Sequence, residues 1–152
     1  MILQVIVAMF AVASFSILFS VPKDQCLFAA AIGGFAWFAY LTLSQMGAGP
    51  AMSSLAATLF LTLLARLFAL HQKHPVTIYL MAGIFPLVPG SGIYYTSYYF
   101  IMNDMRAFVE KGMETFKIAG AIALGIIFGF AVPQRFLLLV RLKKNLKIRQ
   151  KK

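Results

Sequence analysis

The sequence predicts an all-α integral membrane protein, built as a bundle of about five transmembrane helices. Hydrophobic residues make up 61% of the 152-residue chain and charged residues only 12%, whereas soluble domains have about 45–50% and about 25%. The mean hydropathy is +0.85. The apolar residues are gathered into runs of about 20, which is the length that a helix needs to cross about 30 Å of hydrocarbon.

Five apolar runs define the predicted spans in chain order. They cover residues 2–20, 27–44, 51–70, 76–102 and 118–140, and together they form one transmembrane domain over residues 1–140. No basic segment precedes the first run, so we predict a retained span rather than a signal peptide. The third run follows the short turn MGAGP, and Pro50 suits the first position of a helix.

Two further features concern the fifth run, one directly before it and one within it. The preceding segment NDMRAFVEKGMETFK (103–117) is charged and amphipathic, which predicts a helix lying at the membrane interface before the fifth span. Within that span, Ala121, Gly125 and Gly129 are spaced four residues apart. Small residues on one helix face allow a neighbouring backbone to approach, so this face should pack against another helix of the chain or of a second subunit.

The distribution of charge predicts the orientation. Eight of the fourteen basic residues follow Pro133, and residues 141–152 form a basic tail. The positive-inside rule therefore places the N-terminus outside and the C-terminus in the cytoplasm. We expect the tail to lie on anionic lipid. The tail has no aromatic side chain on which bases could stack, so we expect no nucleic-acid partner.

The fourth run contains its own break, in the stretch FPLVPGSGIYY. Proline disfavours helical geometry in the residue before it, so Phe85 and Val88 should be extended. The two following glycines add backbone freedom. The run should therefore divide into half-helices over residues 76–85 and 93–102, with the break near the bilayer midplane and facing the bundle interior or a cavity.

A helix broken at the midplane is a recurring way to build a transport site. The N-terminus of the second half-helix offers free N–H groups and a positive dipole end to a carboxylate, and nearby hydroxyls add polar contacts. An ordinary proline kink is the alternative. The candidate substrate-binding residues are Pro86, Pro89, Gly90, Ser91, Gly92, Tyr94 and Tyr95.

Four further polar residues invite a functional interpretation. Arg66 lies late in the third span, where it would either extend to the inner headgroups or pair with a substrate carboxylate or an interior acid. Asp104 follows the fourth span and could relay protons. His71 and His74 flank a turn without a nearby cysteine or carboxylate and make a poor metal site. We predict no metal site, no cofactor and no enzymatic activity, because no catalytic motif is present.

The features from about residue 51 to residue 129 resemble the threonine/serine exporter family. They are Arg66 late in one span, a turn ending in His74–Pro75, an apolar stretch, and then PLVPGS followed by tyrosines. The chain is most similar to the small, membrane-only half of exporters that some bacteria encode as two proteins. This resemblance implies a subunit in the bacterial inner membrane that works with a larger membrane subunit and exports threonine or serine, coupled to the proton gradient. Some members are linked to dicarboxylate export instead.

The lone broken span leaves two interpretations open. Transporters with internal repeats usually carry a matching pair of broken helices, so the other half of the pathway should lie on a partner or on a second copy of this chain. The alternative is a membrane scaffold or regulator that stabilises a larger transporter and binds no solute itself.

Overall fold

The structure is a computed structural model that describes residues 1–133. The basic tail and the last part of the predicted fifth span lie outside the described residues. The helices are α1 (Ile2–Leu18), α2 (Lys23–Gln45), α3 (Pro50–Gln72), α4 (Val76–Gly83), α5 (Gly90–Ile101) and α6 (Met105–Ala131), with one turn of 3₁₀ helix over Phe85–Leu87 between α4 and α5.

Helices α1, α2, α3 and α4 pack around one apolar core. Short turns join consecutive helices, so neighbours run antiparallel. Pro50 takes the first position of α3, as predicted, and Lys73 ends α3 in the left-handed conformation with φ 58°. The largest fully buried side chains at the centre are Tyr79, Ile32, Leu61 and Val12.

Three of the described helices are long and apolar enough to cross a membrane, namely α2, α3 and α6, and the count rises to four if α4 and α5 form one span. Helix α1 has 17 residues, about 26 Å at 1.5 Å per residue, which is short of the hydrocarbon thickness. The chain is therefore a helical membrane protein, and the count of five spans stays a prediction.

Two helical segments occupy the fourth apolar run and bend by 52° at the break between Leu87 and Gly90. The predicted boundaries need correction, because α5 begins at Gly90 rather than at residue 93. Gly92 lies within the first turn of α5: its carbonyl accepts from Thr96 Oγ1, 2.7 Å away, and its missing side chain leaves room for Thr115. Whether the pair crosses as one broken span remains a prediction.

The predicted interfacial helix before the fifth span is wrong as a separate element. Helix α6 runs without a break from Met105 to Ala131, about 40 Å. Asp104 caps its N-terminus, and α5 packs along its first half, where the rings of Phe100 and Phe108 lie 5.4 Å apart. This packing favours a continuous helix over an interfacial turn. The helix ends before Pro133, where Val132 is already extended.

The small residues of α6 pack against α3, which confirms the predicted packing face within the chain. Ala121, Gly125 and Gly129 are buried. A Cβ on Gly125 would lie 2.8 Å from the carbonyl oxygen of Leu55, and one on Gly129 would lie 2.5 Å from Thr62 Cβ. Residue numbers increase in the same direction on both helices along this contact, so α3 and α6 run parallel. We call this contact the α3–α6 seam.

Helix α5 packs mainly on α6 and little on the α1–α4 core. The contacts of Gly92 with Thr115 and of Gly112 with Thr96 show that α5 and α6 are antiparallel. We call α5 and the first half of α6 the α5–α6 arm. The arm is joined to the core by the α3–α6 seam and by the segment that follows α4.

We expect Gly125→Ala to lower the melting temperature of the purified protein, because the new methyl group would meet the α3 backbone. Overpacking of this kind costs about 1–3 kcal/mol. Gly120→Ala is the matched control, since a Cβ there meets no atom within 4 Å and alanine favours helix by up to about 1 kcal/mol. Equal melting temperatures for the two variants would contradict the close α3–α6 approach.

Candidate functional site

The candidate site is the joint between α4 and α5. Val88 is extended, with φ −62° and ψ 129°, as expected of a residue before proline. Phe85 is not extended as predicted, because Pro86 lies in the first turn of the 3₁₀ helix, where no donor is needed. The ring of Phe85 stacks on that of Phe15 with centroids 3.8 Å apart, which attaches this turn to α1.

The first N–H groups of α5, those of Gly90, Ser91 and Gly92, lie at this joint. Gly90 N–H donates to the carbonyl of Val88, 2.8 Å away, around Pro89. Among the described residues, no group accepts from the N–H of Ser91 or of Gly92, and no side chain caps the helix. Two donors at the positive end of a helix dipole are therefore free to hold an anionic group.

An open cavity of about 470 Å³ lies between α5 and α6 and reaches the joint at Val88 and Pro89, whereas Ser91 and Gly92 are not among its lining residues. Its lining is mostly apolar, and its hydroxyls, from Thr96, Ser97 and Thr115, all donate to carbonyls of their own helices. The cavity suits a small molecule with an apolar part. The lining residues are Val88, Pro89, Ile93, Thr96, Ser97, Gly112, Thr115, Phe116, Ala119 and Ile122.

The structure brings together only some of the predicted site residues. Pro89 lines the cavity, Gly92 packs on Thr115, and Gly90 and Ser91 form the first turn of α5. Pro86 belongs to the 3₁₀ turn. Tyr94 and Tyr95 are 64% and 46% exposed and do not line the cavity. Their roles in binding stay predictions, and the tyrosines would need a partner surface to enclose them.

Arg66 is buried, with 6% exposure, at the C-terminal end of α6. Its Nη1 donates to the carbonyls of Gly129, Phe130 and Val132, the last at 2.7 Å, and the guanidinium lies over the Phe130 ring at 5.7 Å. The helix dipole is negative at this end, so the guanidinium neutralises the last carbonyls of α6. No side-chain carboxylate lies within 4 Å of it among the described residues, which include all four acids of the chain.

Asp104 also has a structural position. It is the N-cap residue of α6, and its Oδ1 accepts from the N–H of Ala107 at 3.1 Å. A carboxylate at a helix N-terminus is favoured by the dipole as well as by this hydrogen bond. The Asp104 side chain is exposed and lies at the opposite end of α6 from Arg66. Its role as a proton relay stays a prediction.

A polar chain links α2 and α4 and was not among the features predicted from the sequence. Tyr79, fully buried, donates from its hydroxyl to Gln25 Oε1, and Gln25 Nε2 donates to Asp24 Oδ2. His74 Nε2 lies 3.8 Å from the same Asp24 oxygen. A tyrosine in an apolar half-helix was a possible signal, since a buried hydroxyl needs a partner. Its partner is 54 positions away along the chain and no local spacing indicates it.

The fold defines a helical membrane protein. The family described as "Threonine/Serine exporter, ThrE" matches residues 4–132, which is most of the chain. The chain therefore belongs to the threonine/serine exporter family, as its resemblance had indicated. This is a family of transporters, in agreement with the prediction that the chain is not an enzyme. No curated protein and no solved structure matches the chain.

We expect Arg66→Met to lower the melting temperature, because the substitution leaves the last carbonyls of α6 without donors. Hydrogen bonds to a charged group are worth about 1.5–3 kcal/mol. Arg66→Lys should recover part of the loss, since an ammonium group also donates to carbonyls. Arg106→Met, at the exposed start of the same helix, is the control and should be close to neutral. Unchanged stability in Arg66→Met would mean that this side chain does not stabilise the α3–α6 seam.

Proposed function

We propose that this chain is a subunit of a secondary active transporter that exports small carboxylate-bearing metabolites, with threonine and serine as the preferred substrates and the proton gradient as the driving force. We place it in the bacterial inner membrane with its N-terminus outside and its C-terminus in the cytoplasm. The observation that carries the proposal is the α4–α5 joint, where the chain bends by 52°, Val88 and Pro89 line a cavity, and the free N–H groups of Ser91 and Gly92 follow directly.

The chemistry of the joint agrees with a small hydroxy-amino acid. A carboxylate would accept from the N–H groups of Ser91 and Gly92, and the dipole of α5 favours a negative charge there. The apolar lining would receive a methyl group such as that of threonine, and Thr96 and Thr115 line the same space. No charged side chain among the described residues lines the cavity, so a second carboxylate would have no basic partner among them. This favours a monocarboxylate over a succinate-type dicarboxylate.

The site needs further walls, which we assign to a partner. The cavity is open, and Tyr94, Tyr95 and Tyr98 present rings on the exposed side of α5. Among the described residues no group bonds to their hydroxyls, and such hydroxyls usually find a partner where water is excluded. We propose that the larger membrane subunit of the exporter packs on this tyrosine face. Self-association through the same face is the competing arrangement.

A scaffold that binds no solute is the second candidate function. The observation that favours it is the exposure of the predicted tyrosines away from the cavity. A scaffold would use the α5–α6 arm only for assembly, so substitutions at the joint would affect complex formation and transport together.

The double substitution Pro89→Ala with Gly90→Ala separates these functions. Alanine at both positions lets α5 continue toward the 3₁₀ turn, with a gain in helix propensity of about 3 kcal/mol at proline and about 1 at glycine. The N–H groups of Ser91 and Gly92 would then bond within the helix. We expect a stable, assembled complex that has lost threonine transport, measured as flux in proteoliposomes together with melting temperature and complex recovery.

The single substitution Gly90→Ala is the matched control for the double variant. A Cβ at Gly90 meets no atom within 4 Å, and Pro89 still breaks the helix. This variant should keep its flux. A double variant that is stable, assembled and fully active would contradict the assignment of the joint as the substrate site, whereas loss of assembly in parallel with flux would support the scaffold.

We expect the isolated chain to show threonine flux near background in proteoliposomes and the complex with the larger subunit to restore it. Tyr94→Ala with Tyr98→Ala should weaken recovery of that complex, because truncating an interface aromatic costs on the order of 2 kcal/mol, or about 30-fold in affinity. Phe10→Ala, at an exposed position of α1, is the matched control. Robust counterflow by the isolated chain would remove the need for a larger subunit and indicate self-assembly.

A further inference from the structure

Helix α4 is tied to α2 by a chain of four polar side chains. Tyr79 donates to Gln25, Gln25 donates to Asp24 Oδ2, and His74 Nε2 lies 3.8 Å from that same oxygen. Tyr79 is 0% exposed, whereas the side chain of Asp24 is 67% exposed. This polar chain therefore leads from an exposed carboxylate, where protons exchange with solvent, to the buried Tyr79 of α4. The α4–α5 joint follows directly after α4.

Each member of this chain has a defined donor or acceptor role. Ionised Asp24 accepts from the amide of Gln25, and this fixes the Gln25 oxygen toward Tyr79. With its orientation fixed, Gln25 Oε1 accepts from the Tyr79 hydroxyl and so holds Tyr79 against α2. The hydroxyl has no other hydrogen-bond partner among the described residues. A group that holds or releases the Asp24 carboxylate therefore controls how firmly α4 is attached to α2.

We propose that Asp24 and His74 form a proton-binding pair and that Gln25 and Tyr79 transmit its state to α4. Histidine changes charge between pH 5 and 8. A protonated His74 attracts the Asp24 carboxylate and holds the polar chain closed. A neutral His74 releases Asp24 to solvent, the Gln25 amide loses its fixed orientation, and α4 separates more easily from α2. Gln25 and Tyr79 are thus positioning residues for the joint.

The other charged and titratable groups at this end of the bundle do not replace the pair. Among the residues that the structure describes, helix α1 contributes none, and α2 adds Lys23 and the Cys26 thiol beside Asp24. Helix α3 and its turn add Arg66, which is engaged with carbonyls of α6, together with His71 and Lys73. Only His74 among the described histidines lies within 4 Å of a carboxylate. His71, in the last turn of α3, is therefore a matched control.

The test is a distance measurement between α2 and α4 on the full chain in nanodiscs. Spin labels are attached at Leu27→Cys and Met81→Cys, both at exposed positions, in a Cys26→Ser background that removes the sole native thiol. Distances are recorded at about pH 5.5 and about pH 8. We expect the short-distance population to be larger at the lower pH, by about two- to fivefold, as an exposed ion pair permits.

The variants assign the response to the polar chain. His74→Gln and Asp24→Asn should each abolish the dependence on pH, and Tyr79→Phe should abolish it while leaving the ion pair intact. His71→Gln should respond like the parent. A parent distribution that is the same at both pH values, or a response that survives in His74→Gln or Tyr79→Phe, would overturn the proposal.

The physiological meaning of the polar chain rests on the proposed export function, in which the proton gradient would act through this pair. The distance measurement needs neither substrate nor partner. A pH response of α4 in a chain that supports no flux in any complex would therefore reject the export function and leave the proton-binding pair standing. Flux without a pH response of α4 would reject the proton-binding pair and leave the export function standing.

Discussion

The position of the candidate site depends on the α3–α6 seam. Helix α5 packs mainly on α6, and α6 reaches the core mainly through α3. The seam is close enough that Gly125 and Gly129 leave no space for a side chain. Packing of this kind drives helix association in lipid, where apolar side chains gain nothing by leaving an apolar solvent. A shift along the seam would therefore move α5, its free N–H groups and the cavity as one unit.

The seam also shows how polar groups are accommodated in an apolar bundle. Thr58 and Thr62 face the glycines of α6, and each hydroxyl donates to a carbonyl one turn back on α3. Arg66 continues the row and supplies the donors that the end of α6 lacks. A buried charge is costly unless it is paired, and here the pairing groups are three carbonyls at the negative end of a helix. The same contact thus satisfies both the charge and the last carbonyls of α6.

The sequence was most informative where the cause of structure is local. Composition and apolar runs predicted the helical membrane class, Pro50 predicted a helix start, and the spacing of Gly125 and Gly129 predicted a packing face. The extended conformation of Val88 follows from the proline after it. Each of these features depends on a few neighbouring residues, which is why a single sequence is sufficient to predict it.

The errors occurred where tertiary contacts decide the outcome. Charges in residues 103–117 suggested an interfacial helix, yet packing of Phe100 on Phe108 and capping by Asp104 make that segment the start of α6. Arg66 was placed in the correct span, but its carbonyl partners lie 63 to 66 positions away. The link from Tyr79 to Gln25 spans 54 positions and has no local signature.

The joint lies between two separately anchored bodies. On one side α4 is held to the core by Tyr79 and by the close approach of Gly83 to Leu61. On the other side α5 is held to α6, which is held to α3. Between them stand two prolines and a single 3₁₀ turn, which lack a continuous helical hydrogen-bond ladder. Any rotation of the arm against the core must therefore change the backbone at this joint as well as the α3–α6 seam, and the unpaired N–H groups lie at the joint. The segment that would bind a carboxylate is thus the segment that would change shape.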